Sequence, residues 1–90
     1  MNTRERIDAK LREALSPASL EVIDESHLHA GHGGAREGGE THYRVLVTAA
    51  AFAGKSRLDR HRMINELLAD ELAGTVHALA IRADTPADPE

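Results

Sequence analysis

The sequence predicts an α+β domain in the order α-β-β-α-β: a three-stranded sheet with its helices on one face. Two stretches carry apolar residues at helical spacing, three shorter runs are apolar at alternate positions, and an aperiodic glycine- and histidine-rich segment separates the first two runs. The chain is organised around residues 54–83, where a basic, capped helix start leads into an amphipathic helix, a glycine stop and a short apolar strand.

Residues 3–15 form the first helix in this reading, because Ile7, Leu11, Ala14 and Leu15 make one stripe with charged residues elsewhere. Asn2 or Thr3 caps its start. Ser16-Pro17 ends it, since the residue before proline is pushed out of the α region and proline cannot extend the hydrogen-bond ladder. Residues 20–25 alternate Leu20 and Val22 with Glu21 and Ile23, as a strand does. Residues 26–40 hold three of the six histidines and five of the seven glycines and read as a flexible loop.

Alternation returns over residues 42–48, with Tyr43, Val45 and Val47 opposite His42, Arg44 and Thr48, so this run is the antiparallel partner of the first strand. In the link 49–53 Phe52 is the one large apolar side chain, and it is expected to plug the gap between sheet and second helix. That helix begins at Ser56, with Asp59 three residues on, and is expected to run to Ala73 and stop at Gly74. Its apolar face is Ile64, Leu67, Leu68 and Leu72, with Arg60, Arg62, Glu66 and Asp70 mostly elsewhere. Residues 76–83 form the last strand, with His77 at its start. One domain thus spans 1–83, and residues 84–90, rich in proline and acid, form a flexible tail.

With 41% apolar and 29% charged residues, the composition is that of an ordinary soluble domain. Aromatic residues make up only 2%, which leaves little for stacking on nucleic-acid bases. A formal charge of −4 argues against general phosphate attraction, although a local basic patch remains compatible with it. There is no cysteine, which removes disulfides, thiol nucleophiles and self-contained thiolate metal sites together. The first residues lack the apolar segment of a signal peptide, and no run approaches the ~18 apolar residues of a membrane span; a cytoplasmic location is expected.

Nothing in the sequence points to an enzyme. No serine sits on a strand-to-helix elbow, and Asp70-Glu71 and Asp24-Glu25 read as solvated surface pairs rather than an acid–base dyad. Gly54-Lys55-Ser56 ends like a phosphate loop, but Ala49 stands where that motif needs its first glycine. Lys55, Arg57, Arg60 and Arg62, opposed only by Asp59, leave a local charge of +3. This is a solubilising surface or a patch that docks DNA or protein. His61 lies near the apolar stripe and reads as a structural histidine. His29 and His32 in the loop and His77 at the last strand could converge as imidazole ligands for zinc, copper or iron. Their spacing matches no closed zinc pattern, and taken alone His77 is more simply a strand residue hydrogen-bonded to backbone.

Five motifs together nevertheless resemble the BolA-like proteins, and the resemblance runs from Arg4 to Pro86. They are Asp24-Glu25-Ser26 with His29 following, E-T-H-Y-R-V at 40–45, F-x-G-K-S at 52–56, R-H-R-M-I at 60–64, and E-L-A-G-T-V-H-A-L-A-I at 71–81. The resemblance implies a fold similar to a type II K-homology domain, which has the order derived above. It also implies a non-enzymatic partner of monothiol glutaredoxins in iron–sulfur cluster handling and iron homeostasis. By the same resemblance His77 is one ligand of a shared [2Fe–2S] cluster, and His29 falls at the position of the loop ligand. His32 is an additional loop histidine beside it. The thiolates come from the partner's cysteine and from glutathione, in an arrangement like Rieske ligation, where imidazole raises the reduction potential. The alternative that the family suggests is a stress-linked, DNA-binding transcription regulator and morphogene, with Lys55, Arg57, Arg60 and Arg62 as the contacts. The acidic total charge and the lack of a G-x-x-G loop beside the basic helix start place that reading second.

Overall fold

The computed structural model describes residues 2–25 and 42–86. The elements are α1 (Thr3–Leu15), β1 (Ser19–Asp24), β2 (His42–Thr48), a 3-10 turn at Ala50–Phe52, α2 (Arg57–Leu67), α3 (Ala69–Ala73) and β3 (Ala78–Asp84). The expected order holds, as does the α+β class. Both outer strands shift: β1 spans 19–24 rather than 20–25, and β3 spans 78–84 rather than 76–83, so Asp84, expected in the tail, ends the strand, and Thr85 beyond it is buried. The rest of the expected tail, 87–90, and the expected loop, 26–40, lie outside the described residues.

Local chemistry accounts for the helix ends. Asn2 caps α1 through a reciprocal capping box: its side chain accepts from the Glu5 backbone N–H, and the Glu5 carboxylate accepts from the Asn2 N–H. At the other end Ser16 takes a left-handed conformation, φ 44°, and its N–H reaches back to Arg12. The proline at 17 thus ends the helix as expected, by way of a left-handed residue rather than an extended one. Ser56 caps α2 by accepting from the Asp59 N–H, and Gly54 supplies a left-handed turn at φ 75° just before it.

The sheet is mixed, in the order β1-β2-β3. β1 runs antiparallel to β2, with Val22 opposite Val45, whereas β2 and β3 are parallel, with Val45 opposite Ile81. A parallel pair needs a crossover, and α2 and α3 supply it. Alternation then decides the faces. Val22, Tyr43, Val45, Val47 and Ala83 point into the core with Ile7, Leu11, Leu15, Ile64 and Leu68 from the helices. Phe52 is fully buried in this cluster, as its place in the link predicts.

The second helix departs from expectation. The long helix to Ala73 is instead two, because Leu68 leaves the helical region at φ −106°, ψ 21°. No glycine or proline marks the break. Ile64 and Leu68 remain buried across it, so the apolar periodicity is the same on either side. The break accompanies a second difference, at Glu71. Expected as a solvated partner of Asp70, Glu71 is 7% exposed and accepts from Lys10 of α1 at 2.8 Å, with Arg6 at 3.9 Å. Asp70 alone is on the surface.

Candidate functional site

Because β2 and β3 are parallel, their first residues lie at the same end of the sheet. His42 opens β2 and pairs in register with Ala78, so His77, the residue just before β3, stands beside it. The two rings meet edge to face, 6.4 Å between centroids at an interplanar angle of 61°. The backbone under His42 is held from the other side as well, its carbonyl accepting from the Glu25 N–H at 2.8 Å. His77 is exposed and His42 half-buried. His77 thus precedes the strand rather than forming part of it, and its imidazole is accessible. His29 and His32 lie outside the described residues, and among the described residues no three histidine, aspartate or glutamate side chains are close enough to hold a metal ion.

The basic helix start forms a second region. Lys55, Arg57 and Arg62 are exposed, with Arg62 at 4.0 Å from Asp59. Leu58, 58% exposed, is a large apolar side chain among them that the charge count passes over. Arg60 differs from the other three. It is half-buried, donating from Nε to the Lys55 carbonyl at 3.0 Å and from Nη1 to the Ala83 carbonyl at 2.9 Å. The expectation that all four cations face outward is corrected at this residue, because helical spacing turns Arg60 toward β3. Behind it an open cleft of about 400 Å³ is lined by Arg57, His61, Ile81, Arg82, Ala83 and Asp84. Across the cleft Arg82 is paired with Asp84 at 3.0 Å, so β3 brings an ion pair, not net positive charge, to this surface. Only the outward parity of Arg82 could have signalled this, since residue 82 is remote from residues 55–62 in sequence. His61 is half-buried at the edge of this cleft.

The geometry offers accessible imidazole at one end of the sheet and a cationic surface at the start of α2. The sequence profile of the family described as BolA-like protein matches residues 11–88. An uncharacterised Sinorhizobium protein encoded in the cobS 5′ region is 50% identical over 90 residues, covering 99% of this chain and 97% of that one. The Escherichia coli DNA-binding transcriptional regulator BolA is 47% identical over 85 residues, 94% of this chain and 77% of that protein. SufE-like protein 1 of Arabidopsis thaliana is 49% identical over 87 residues, 92% of this chain; the chain spans only 24% of that protein's length. The solved BolA domain of Arabidopsis SufE1 superimposes with a TM-score of 0.85 at 46% identity, covering 97% of this chain and 96% of that domain.

Proposed function

The chain belongs to the BolA-like family, and from that premise we propose that it is a non-enzymatic partner of a monothiol glutaredoxin, sharing a [2Fe–2S] cluster with it in iron–sulfur cluster handling and iron homeostasis. The relatives point to iron–sulfur-related protein partners or to DNA. The observation that carries the first reading is the exposed imidazole of His77 at a fixed end of the sheet, in a chain without cysteine.

This donor set fits one half of such a cluster. Neutral imidazole is a competent iron ligand, and replacing thiolates by imidazoles on one iron raises the reduction potential of the bound cluster. His77 would be one ligand, with His29 or His32 from the loop as the second. The thiolates have to come from the partner's cysteine and from glutathione, so cluster binding and heterodimer formation become a single event. The chain's own contribution is to present His77 on a backbone fixed by the register of β3 against β2. Mixing the protein with a monothiol glutaredoxin, glutathione, iron and sulfide tests the proposal. A visible absorption and circular-dichroism spectrum distinct from that of glutaredoxin alone is expected, and an unchanged spectrum with no heterodimer overturns it.

A second reading, a DNA-binding regulator, is favoured by the exposed Lys55, Arg57 and Arg62 and by the regulator from Escherichia coli. With few aromatics and a net charge of −4, such binding would be carried by phosphate contacts and be strongly dependent on salt.

A further inference from the structure

We propose that His42 and His77 together form an open two-imidazole site for a divalent first-row transition-metal ion, held by this chain alone. The proposal does not rest on the cluster reading, since it requires neither thiolate, nor sulfide, nor a partner.

Topology brings the two residues together. They are far apart in sequence, yet the parallel register sets His42 opposite Ala78 and so beside His77. Both backbones are fixed: His42 is the first residue of the central strand, with its carbonyl held by Glu25, and His77 leads directly into β3. The ring separation is within reach of a shared ion. With metal–nitrogen bonds of about 2.0–2.1 Å, two imidazoles on one metal have centroids roughly 5–6.5 Å apart, depending on the angle at the metal. The observed 6.4 Å corresponds to a nearly linear arrangement, so side-chain rotation has to bring the rings about 1 Å closer, to roughly 5.2 Å, for the tetrahedral angle zinc prefers. The exposure of His77 gives the ion a path in and leaves room for water in its remaining positions. Among the described residues no third ligand stands nearby, so the site is open rather than closed. Two imidazoles with water select the borderline ions zinc, cobalt, nickel and copper over magnesium or calcium, which prefer carboxylate and carbonyl oxygen.

The test is a Zn²⁺ titration of the whole chain, without glutaredoxin, glutathione or sulfide, followed by calorimetry and by the NMR signals of the histidine rings. Saturable one-to-one binding that shifts the rings of both His42 and His77 is expected. His42→Asn and His77→Asn should each weaken binding at least about tenfold, the scale on which lost coordination support is felt. The double change His29→Asn with His32→Asn should alter it less than threefold. Binding that His42→Asn leaves untouched, or that the loop double change abolishes, overturns the proposal. So does the absence of any shift at the two rings. Should His42→Asn fail to fold, the ring shifts of the unmodified chain still decide. The cluster proposal is judged separately, from the spectrum of the mixture with glutaredoxin, so either reading can fail alone.

Discussion

Arg60 donates from Nη1 to the carbonyl of Ala83 at 2.9 Å and from Nε to that of Lys55 at 3.0 Å, joining the start of α2 to the last strand. A cation spent on two backbone carbonyls is structural before it is a phosphate contact. Arg60→Ala should therefore cost about 1–2 kcal/mol in a urea titration, the scale of charge-assisted hydrogen bonds at a half-exposed site. Arg57→Ala and Lys55→Ala should each cost less than about 0.5 kcal/mol, as surface changes do.

The same distinction sets the salt dependence of any DNA binding. With Arg60 occupied, Lys55, Arg57 and Arg62 remain, and two or three phosphate contacts give a log–log slope of roughly −2 to −3. Fluorescence anisotropy on a labelled duplex at several salt concentrations reads the slope. Sequence-selective binding that holds at high salt would instead promote the regulator reading over the cluster.

Lys10 and Glu71 join α1 to α3 at 2.8 Å, and the Glu71 side chain is only 6% exposed. Lys10→Met strands a carboxylate with Arg6 at 3.9 Å as its remaining cation and should cost about 1–3 kcal/mol. Combining Lys10→Met with Glu71→Leu should recover most of that loss, because a matched apolar pair leaves no buried charge behind. A double-mutant cycle by urea denaturation separates the two outcomes. Equal destabilisation in the double variant would show that the pair itself stabilises the helix contact.

Phe52 is wholly buried between the sheet and the helices. Truncation to alanine should cost about 3–5 kcal/mol. In a domain whose total stability is of the order of 5–15 kcal/mol, Phe52→Ala would lie near the unfolding threshold. Thermal melting by circular dichroism checks this.

His77→Ala should leave the apo fold within about 0.5 kcal/mol of the parent, since the side chain is exposed and its removal opens no cavity. It should alter or abolish the spectrum of the mixed cluster with glutaredoxin. Loss of cooperative unfolding in the apo protein, with the cluster spectrum intact in whatever remains folded, would make His77 a structural residue instead.

Much of this architecture was legible in local pattern. The alternation of Tyr43, Val45 and Val47 gave β2 its limits and its buried face, and the proline at 17 marked the end of α1. What escaped was long-range. The break at Leu68 preserves the apolar spacing on both sides, so periodicity cannot register it. Glu71 did carry a signal, falling three residues after Leu68 on the apolar stripe, but its partner Lys10 lies on another helix. The meeting of His42 with His77 follows only from the direction and register of β3, which neither strand's own sequence specifies.

The crossover between β2 and β3 also bears on how the domain assembles. The antiparallel β1–β2 partners lie 19 to 29 residues apart in sequence, whereas each of the seven residues of β3 pairs with one 36 positions earlier, across the whole α2–α3 segment. Closing that segment is an entropic cost met before the strand contributes any stability, so docking of β3 is expected to be the late, rate-setting event in refolding. Until it happens the central strand has an open edge, with Tyr43, Val45 and Val47 short of their cover, which is the species most prone to aggregate.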